Sequence, residues 1–220
     1  MNNFVVLDIE TENTGYDIKN DNKRIISLQL LEEEPLIYYD GSKTLSLDFA
    51  KEKLIFLINE GKNFLGFNIK NFDIPLIKNF LGVQIPQDQI IEIGEHQRMD
   101  MIRQEIRRKR PRLIEICNFL NVDCSHKEEM NKLAEKFKNL PSVIDSAKEA
   151  ANEWHDNLGW SYDFSFRLAL DRISSGMAIL DSFNAFVVSG GDKQSAFYRY
   201  AVADVITERD VFLKLENFNS

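Results

Sequence analysis

The sequence predicts an α/β domain that becomes wholly helical in its second half. Three observations carry this reading. A strongly apolar strand pattern opens the chain at Phe4-Val5-Val6-Leu7 and ends in Asp8-Ile9-Glu10. Strand patterns then alternate with helical ones as far as Gly82. Beyond that point apolar residues recur at helical spacing, without internal repeats or low-complexity linkers.

The opening run is rich in aromatic and branched residues, which suits a strand buried on both faces. Thr11 to Asn22, with Gly15 and several Asn and Asp residues, reads as a polar turn. Arg24–Leu31 and Leu36–Tyr39 are the next strands, separated by Glu32-Glu33-Glu34-Pro35, so three neighbouring strands form an antiparallel meander. Leu47–Glu60 spaces Phe49, Leu54, Leu57 and Ile58 as a helix does, and Gly61 supplies its stop. Phe64-Leu65-Gly66-Phe67 is a fourth strand, and Asn71-Phe72-Asp73 opens a helix through Phe80. Helices follow over Arg98–Arg110, Leu113–Leu120, Lys127–Leu140 and Pro141–Trp154. Tyr162–Ile173 is periodic, whereas Ala178–Val188 fits either a helix or a strand. Ser189-Gly190-Gly191-Asp192 is a break, with Asp192 able to cap an amphipathic last helix over Gln194–Leu215.

With 220 residues, 44% hydrophobic and 28% charged, the chain can bury a full core as one domain over 1–220. Its 27 basic and 35 acidic side chains give a net charge of −8, which argues against a protein that coats duplexes. A polyanionic substrate must be held locally, by metal ions or a basic patch. No apolar run reaches the length of a membrane span. The strand begins almost at Met1, so no leader is expected and the cytoplasm is the expected compartment. Cys117 and Cys124 form no CxxC pair; free thiols are the default, with a single disulfide left open.

Side chains alternate along a strand, so Asp8 and Glu10 point to one face at its end. Two carboxylates beside a buried strand repel and lose hydration unless a cation or proton lies between them. The simpler alternative is a strand that emerges into solvent. Asp73 stands at a helix start, where an acid also suits the helix dipole. Tyr200 and Asp204 lie four residues apart and share a helix face. Glu208 extends that line by one turn and reads as an exposed acid.

Asp8-Ile9-Glu10-Thr11, then Asn68-Ile69-Lys70-Asn71-Phe72-Asp73, then Tyr200-Ala201-Val202-Ala203-Asp204 follow one another in the order of the DEDD superfamily of 3′-to-5′ exonucleases. The tyrosine resembles the Tyr-containing branch. Met99-Asp100-Met101-Ile102-Arg103 and Leu113–Leu120 are similar to proofreading domains of family B DNA polymerases. The resemblance covers most of 3–120 and 194–215. It implies a ribonuclease H-like fold, a mixed five-stranded sheet flanked by helices. Residues 125–192 would form a helical elaboration with no counterpart in the minimal domain. Asn13-Thr14-Gly15 replaces a tighter threonine-glycine turn. With no polymerase domain in the chain, proofreading within one chain is not expected.

By the same resemblance, Asp8, Glu10, Asp73 and Asp204 would hold two divalent ions, Mg²⁺ or Mn²⁺. Asp8 would bridge both; Glu10 and Asp204 would complete the ion that activates water, and Asp73 would serve the leaving-group ion. Tyr200 would orient the water, Thr11 and Asn68 would contact the 3′-terminal nucleotide, and Phe72 would shape the terminal-base pocket. The chemistry is coherent by itself. Phosphodiester cleavage places charge on the attacking and leaving oxygens, and a pair of hard ions held by carboxylates stabilises both. The expected activity is release of nucleoside 5′-monophosphates from single-stranded 3′ ends. DNA is favoured over RNA, and a replication or repair partner would be compatible. A non-catalytic module that binds nucleic acid is the alternative from another class.

Arg103, Arg107, Arg108, Lys109, Arg110 and Arg112 form the one basic concentration. It reads as a solvated face paired with Glu105 and Glu115, with a nucleic-acid backbone contact as the alternative. Trp154, Trp160, Tyr162, Phe164 and Phe166 could stack bases but read as packing of the elaboration. His96, His126 and His155 lack zinc-site spacing, and Gly190-Gly191-Asp192-Lys193 lacks that of a phosphate loop.

Overall fold

A computed structural model describes residues 3–12 and 23–217. The polar turn around Gly15 and the Asn13-Thr14-Gly15 stretch lie outside the described residues. Five strands, β1 (Phe4–Thr11), β2 (Ile25–Leu31), β3 (Pro35–Tyr39), β4 (Asn63–Gly66) and β5 (Ile90–Glu92), form one mixed sheet in the order β3-β2-β1-β4-β5. β1 pairs antiparallel with β2 and parallel with β4, so it occupies the centre. β2 and β3 complete the antiparallel meander, and β5 runs parallel to β4.

Helices cover both faces. Alternation along β1 sends Val5, Leu7 and Ile9 towards α1 (Leu47–Asn59) and α2 (Asp73–Leu81), where they pack with Leu54, Leu57, Leu76 and Ile77. Val6 faces the opposite way. It packs with Met99 and Ile102 of α3 (Met99–Ile106), Ile116 of α4 (Leu113–Leu120), and Val205 and Val211 of α8 (Ala196–Asn217). Asp8 and Glu10 have the parity of Val6 and are therefore delivered to the α8 side. The stretch expected as a helical elaboration comprises α5 (Ser125–Glu135), α6 (Pro141–Leu158) and α7 (Tyr162–Val188). Trp154, Ala147 and Ala150 of α6 pack against Ala169 and Ile173 of α7.

Several elements differ from expectation. β5 has only three residues, too few for a visible alternation, and takes its stability from pairing with β4. The basic segment stops being helical at Ile106 because Arg107 is left-handed, with φ 56°. Tyr162 to Val188 is one continuous helix, which settles the ambiguous 178–188 segment as helical. The last helix starts at Ala196; the Ser195 hydroxyl accepts the Tyr198 N–H at 3.1 Å, while Asp192 accepts from Gln194 N–H in the preceding turn. Both cysteines are free and buried. Among the described residues, no helix is long and apolar enough to cross a membrane.

Candidate metal centre

The first strand and the last helix meet at their acids. Carboxylate oxygens of Asp8, Glu10 and Asp204 all lie within 4.8 Å of one another. Glu10 and Asp204 are buried. The packing of α8 explains the approach: Phe197, Ala201, Asp204, Val205, Glu208, Val211 and Leu215 form its buried stripe, so the acids lie on the face pressed against the sheet.

Asp73 reaches the same region from α2. β4 pairs with β1 only over Phe4–Val6, and farther along β1 the Ile9 N–H donates to Asp73 Oδ1 at 3.1 Å. This contact ties the start of α2 to the end of β1 and places Asp73 where its charge acts on Asp8. Gly66 permits the close approach of β4: a Cβ there would lie 2.9 Å from the Leu7 carbonyl oxygen.

Glu208 differs from its sequence reading. Its side chain is buried, with 5% of the residue exposed, and Oε1 accepts the Phe67 N–H at 3.3 Å. Oε2 is buried and has no hydrogen-bond partner among the described residues. The signal was present in the line 200, 204, 208: once Asp204 faces the sheet, a residue one turn on does too.

Lys127 and His126, at the start of α5, are the other contributors that sequence reasoning missed. The Lys127 ammonium forms an ion pair with Asp204 and donates to the Tyr200 hydroxyl at 3.1 Å. It also lies 4.8 Å from the centre of the Tyr200 ring. His126 Nε2 lies 3.2 Å from Asp204 Oδ1.

Burial, followed by the charge of Asp204, pushes the Asp8 carboxyl up to about 7 despite the opposing pull of Lys127. Glu10 is raised by burial and then by Asp8 and Asp204; Asp73 is raised by burial and then by Asp8. Glu208 is raised by burial and by Asp8, Asp204 and Asp73. Burial alone would raise Asp204 as well, but Lys127 and His126 overcome it and hold that carboxyl below its ordinary range. Burial and Asp204 raise the Tyr200 phenol, which keeps its proton.

The remaining expected site residues are placed as follows. Thr11 and Phe72 line a cleft of about 550 Å³ together with Glu10, across from α5 and α7. Asn68 is exposed in a left-handed turn, φ 62°, and its N–H is held by Glu92 Oε1 at 2.8 Å. Its carbonyl accepts the Phe72 N–H at 3.1 Å, so Asn68 shapes the turn that leads into Asp73. In the basic segment, Arg108 and Arg112 pair with Glu115, and Arg103 pairs with Asp100 rather than Glu105.

The donor set fits a hard divalent cation. All the candidate ligands are carboxylate oxygens, four of the five acids are raised by burial among like charges, and one buried oxygen of Glu208 has no donor. No protein-family description, curated protein or solved structure matches the chain.

Proposed function

We propose that this protein is a metal-dependent 3′-to-5′ exonuclease on a ribonuclease H-like fold, acting on single-stranded nucleic acid, with DNA the preferred substrate. The observation that carries the reading is the convergence of Asp8, Glu10 and Asp204 within 4.8 Å, from opposite ends of the chain. The order of strands, with an antiparallel meander on one side of β1 and parallel strands on the other, supports the fold assignment.

Asp8, Glu10 and Asp204 would hold divalent Mg²⁺ or Mn²⁺, with Asp73 beside Asp8 and Glu208 completing the negative field. Bound divalent ions supply charge stabilisation for the attacking and leaving oxygens of the phosphodiester. The chain's own groups do the rest. Lys127 fixes the Tyr200 hydroxyl by donating to its oxygen, so the phenolic proton is free to point to another acceptor. Tyr200 keeps that proton, and its role is therefore to orient the attacking water rather than to deprotonate it. Thr11 and Phe72 border the acids and would seat the terminal nucleotide.

The test is digestion of paired DNA and RNA oligonucleotides of one sequence, with the 3′ and 5′ ends blocked in turn, in Mn²⁺. Wild type should shorten strands with a free 3′ end and release nucleoside monophosphates, whereas a folded Asp8→Ala variant should be inert. Binding of the strands without cleavage would instead favour the non-catalytic module.

A further inference from the structure

The elaboration builds the wall of the cleft opposite the acids. Glu10, Thr11 and Phe72 form one side; Arg172, Ser175 and Ile179 of α7 contribute the other. The charges on that far side are not equivalent. Lys138 is paired with Glu135 and Asp171, and Arg112 with Glu115. Arg172 forms no ion pair with any acid among the described residues; its guanidinium lies 5.5 Å from the centre of the Trp154 ring. A cation held on an aromatic shelf, facing a cleft and lacking a counter-ion, suits an anionic ligand.

The same face of α7 continues beyond the cleft. Phe164, Leu168, Arg172, Ser175 and Ile179 follow one another at intervals of three or four residues and so form a stripe about 22 Å long. At its far end Trp160 and Phe164 pack edge to face with centroids 5.6 Å apart, yet remain 37% and 49% exposed. Trp160 in turn contacts the buried Trp154 that supports Arg172. Acids, unpaired cation and exposed rings therefore lie in succession.

We propose that this face of α7 is the track of a single-stranded nucleic acid, with Arg172 as its phosphate contact and Trp160 and Phe164 as a stacking platform for upstream bases. The proposal rests on the nuclease reading above, for which it supplies the substrate path. It also explains how a protein of net charge −8 grips a polyanion, through one local contact and base stacking rather than a basic surface.

The test compares wild type with Arg172→Gln, which keeps the stem over Trp154, with Arg172→Lys, and with Trp160→Ala/Phe164→Ala. Three Mn²⁺-dependent substrates are used: a ten-nucleotide single strand, a dinucleotide, and thymidine 5′-(4-nitrophenyl) phosphate, which has no upstream phosphate for Arg172 to contact. Arg172→Gln should raise KM for the long strand about tenfold, leave kcat and nitrophenyl ester hydrolysis unchanged, and lower the salt slope of binding by about one. Arg172→Lys should recover most of the loss. The aromatic pair should matter for the long strand and not for the dinucleotide. An unchanged KM for the long strand, or an equal loss on the nitrophenyl ester, overturns the track. If wild type hydrolyses none of the three, the nuclease reading fails, and fluorescence anisotropy with the labelled long strand decides the track alone. No wild-type binding, or equal binding by Arg172→Gln, then overturns it.

Discussion

The ammonium group of Lys127 is ion-paired with the Asp204 carboxylate at the point where α5 of the elaboration meets α8. The pair joins α5 to the acids, and the same ammonium holds the Tyr200 hydroxyl. Lys127→Ala should therefore leave Asp204 buried without its cation. Removing one partner of a buried pair costs several kcal/mol, and Lys127 is partly solvated, so about 2–3 kcal/mol is expected in metal-free buffer. Denaturant titration checks the loss. Activity should fall through kcat rather than KM, because Tyr200 loses the contact that orients it.

Stability without metal should decline as pH rises. The folded carboxyls of Asp8, Glu10, Asp73 and Glu208 are raised above their unfolded values, Asp8 to about 7. The folded state therefore binds more protons than the unfolded chain between roughly pH 4 and 7, and stability present below that window is lost through it. Asp204, held low, acts at more acidic pH and does not cancel the trend. Thermal melts in a chelator should show Tm falling by about 5 °C from pH 5 to pH 8. Mn²⁺ should restore it at pH 8 by binding the folded state alone.

Glu208→Gln should stabilise the metal-free protein at pH 8, by about 1 kcal/mol, by removing one charge from a crowded acidic cluster. The amide oxygen can still accept the Phe67 N–H. A higher denaturant midpoint with an unchanged slope is the expected reading. The opposite result would show that the Oε2 charge is compensated in the fold.

Gly66→Ala should cost about 2 kcal/mol, because the new methyl meets the Leu7 carbonyl oxygen and Ile69 at 2.9–3.0 Å. Leu7 adjoins Asp8, so the same change should weaken Mn²⁺ affinity, measured by calorimetry, in addition to lowering the melting temperature.

Much of the fold was legible because local patterns and tertiary packing agree. The run Phe4–Leu7 reads as a central strand and is one, and Gly61 and Gly82 lie at the ends of α1 and α2. Periodicity placed Asp8 and Glu10 on one strand face and Asp204 on a helix face, and the order of the three motifs, through its resemblance to a known family, singled them out. Lys127 and His126 could not, since nothing near them on a polar helix announces a partner some 78 residues onward. β5 was invisible for a related reason: its three residues acquire strand geometry from β4. The 178–188 segment was ambiguous by pattern and is helical because α7 runs unbroken through Ser174-Ser175-Gly176, where burial of Ser174 and Gly176 offsets their weak helix preference.

Two of the three converging acids lie on β1 and the third on α8, separated by almost the whole chain. During synthesis, Asp8 and Glu10 leave the ribosome long before Asp204 exists. On the proposed metal reading, the cation site would be complete only once α8 has docked on the sheet. A truncation that removes this helix should then yield a protein blind to the ion, and metal uptake would signal that the domain has closed.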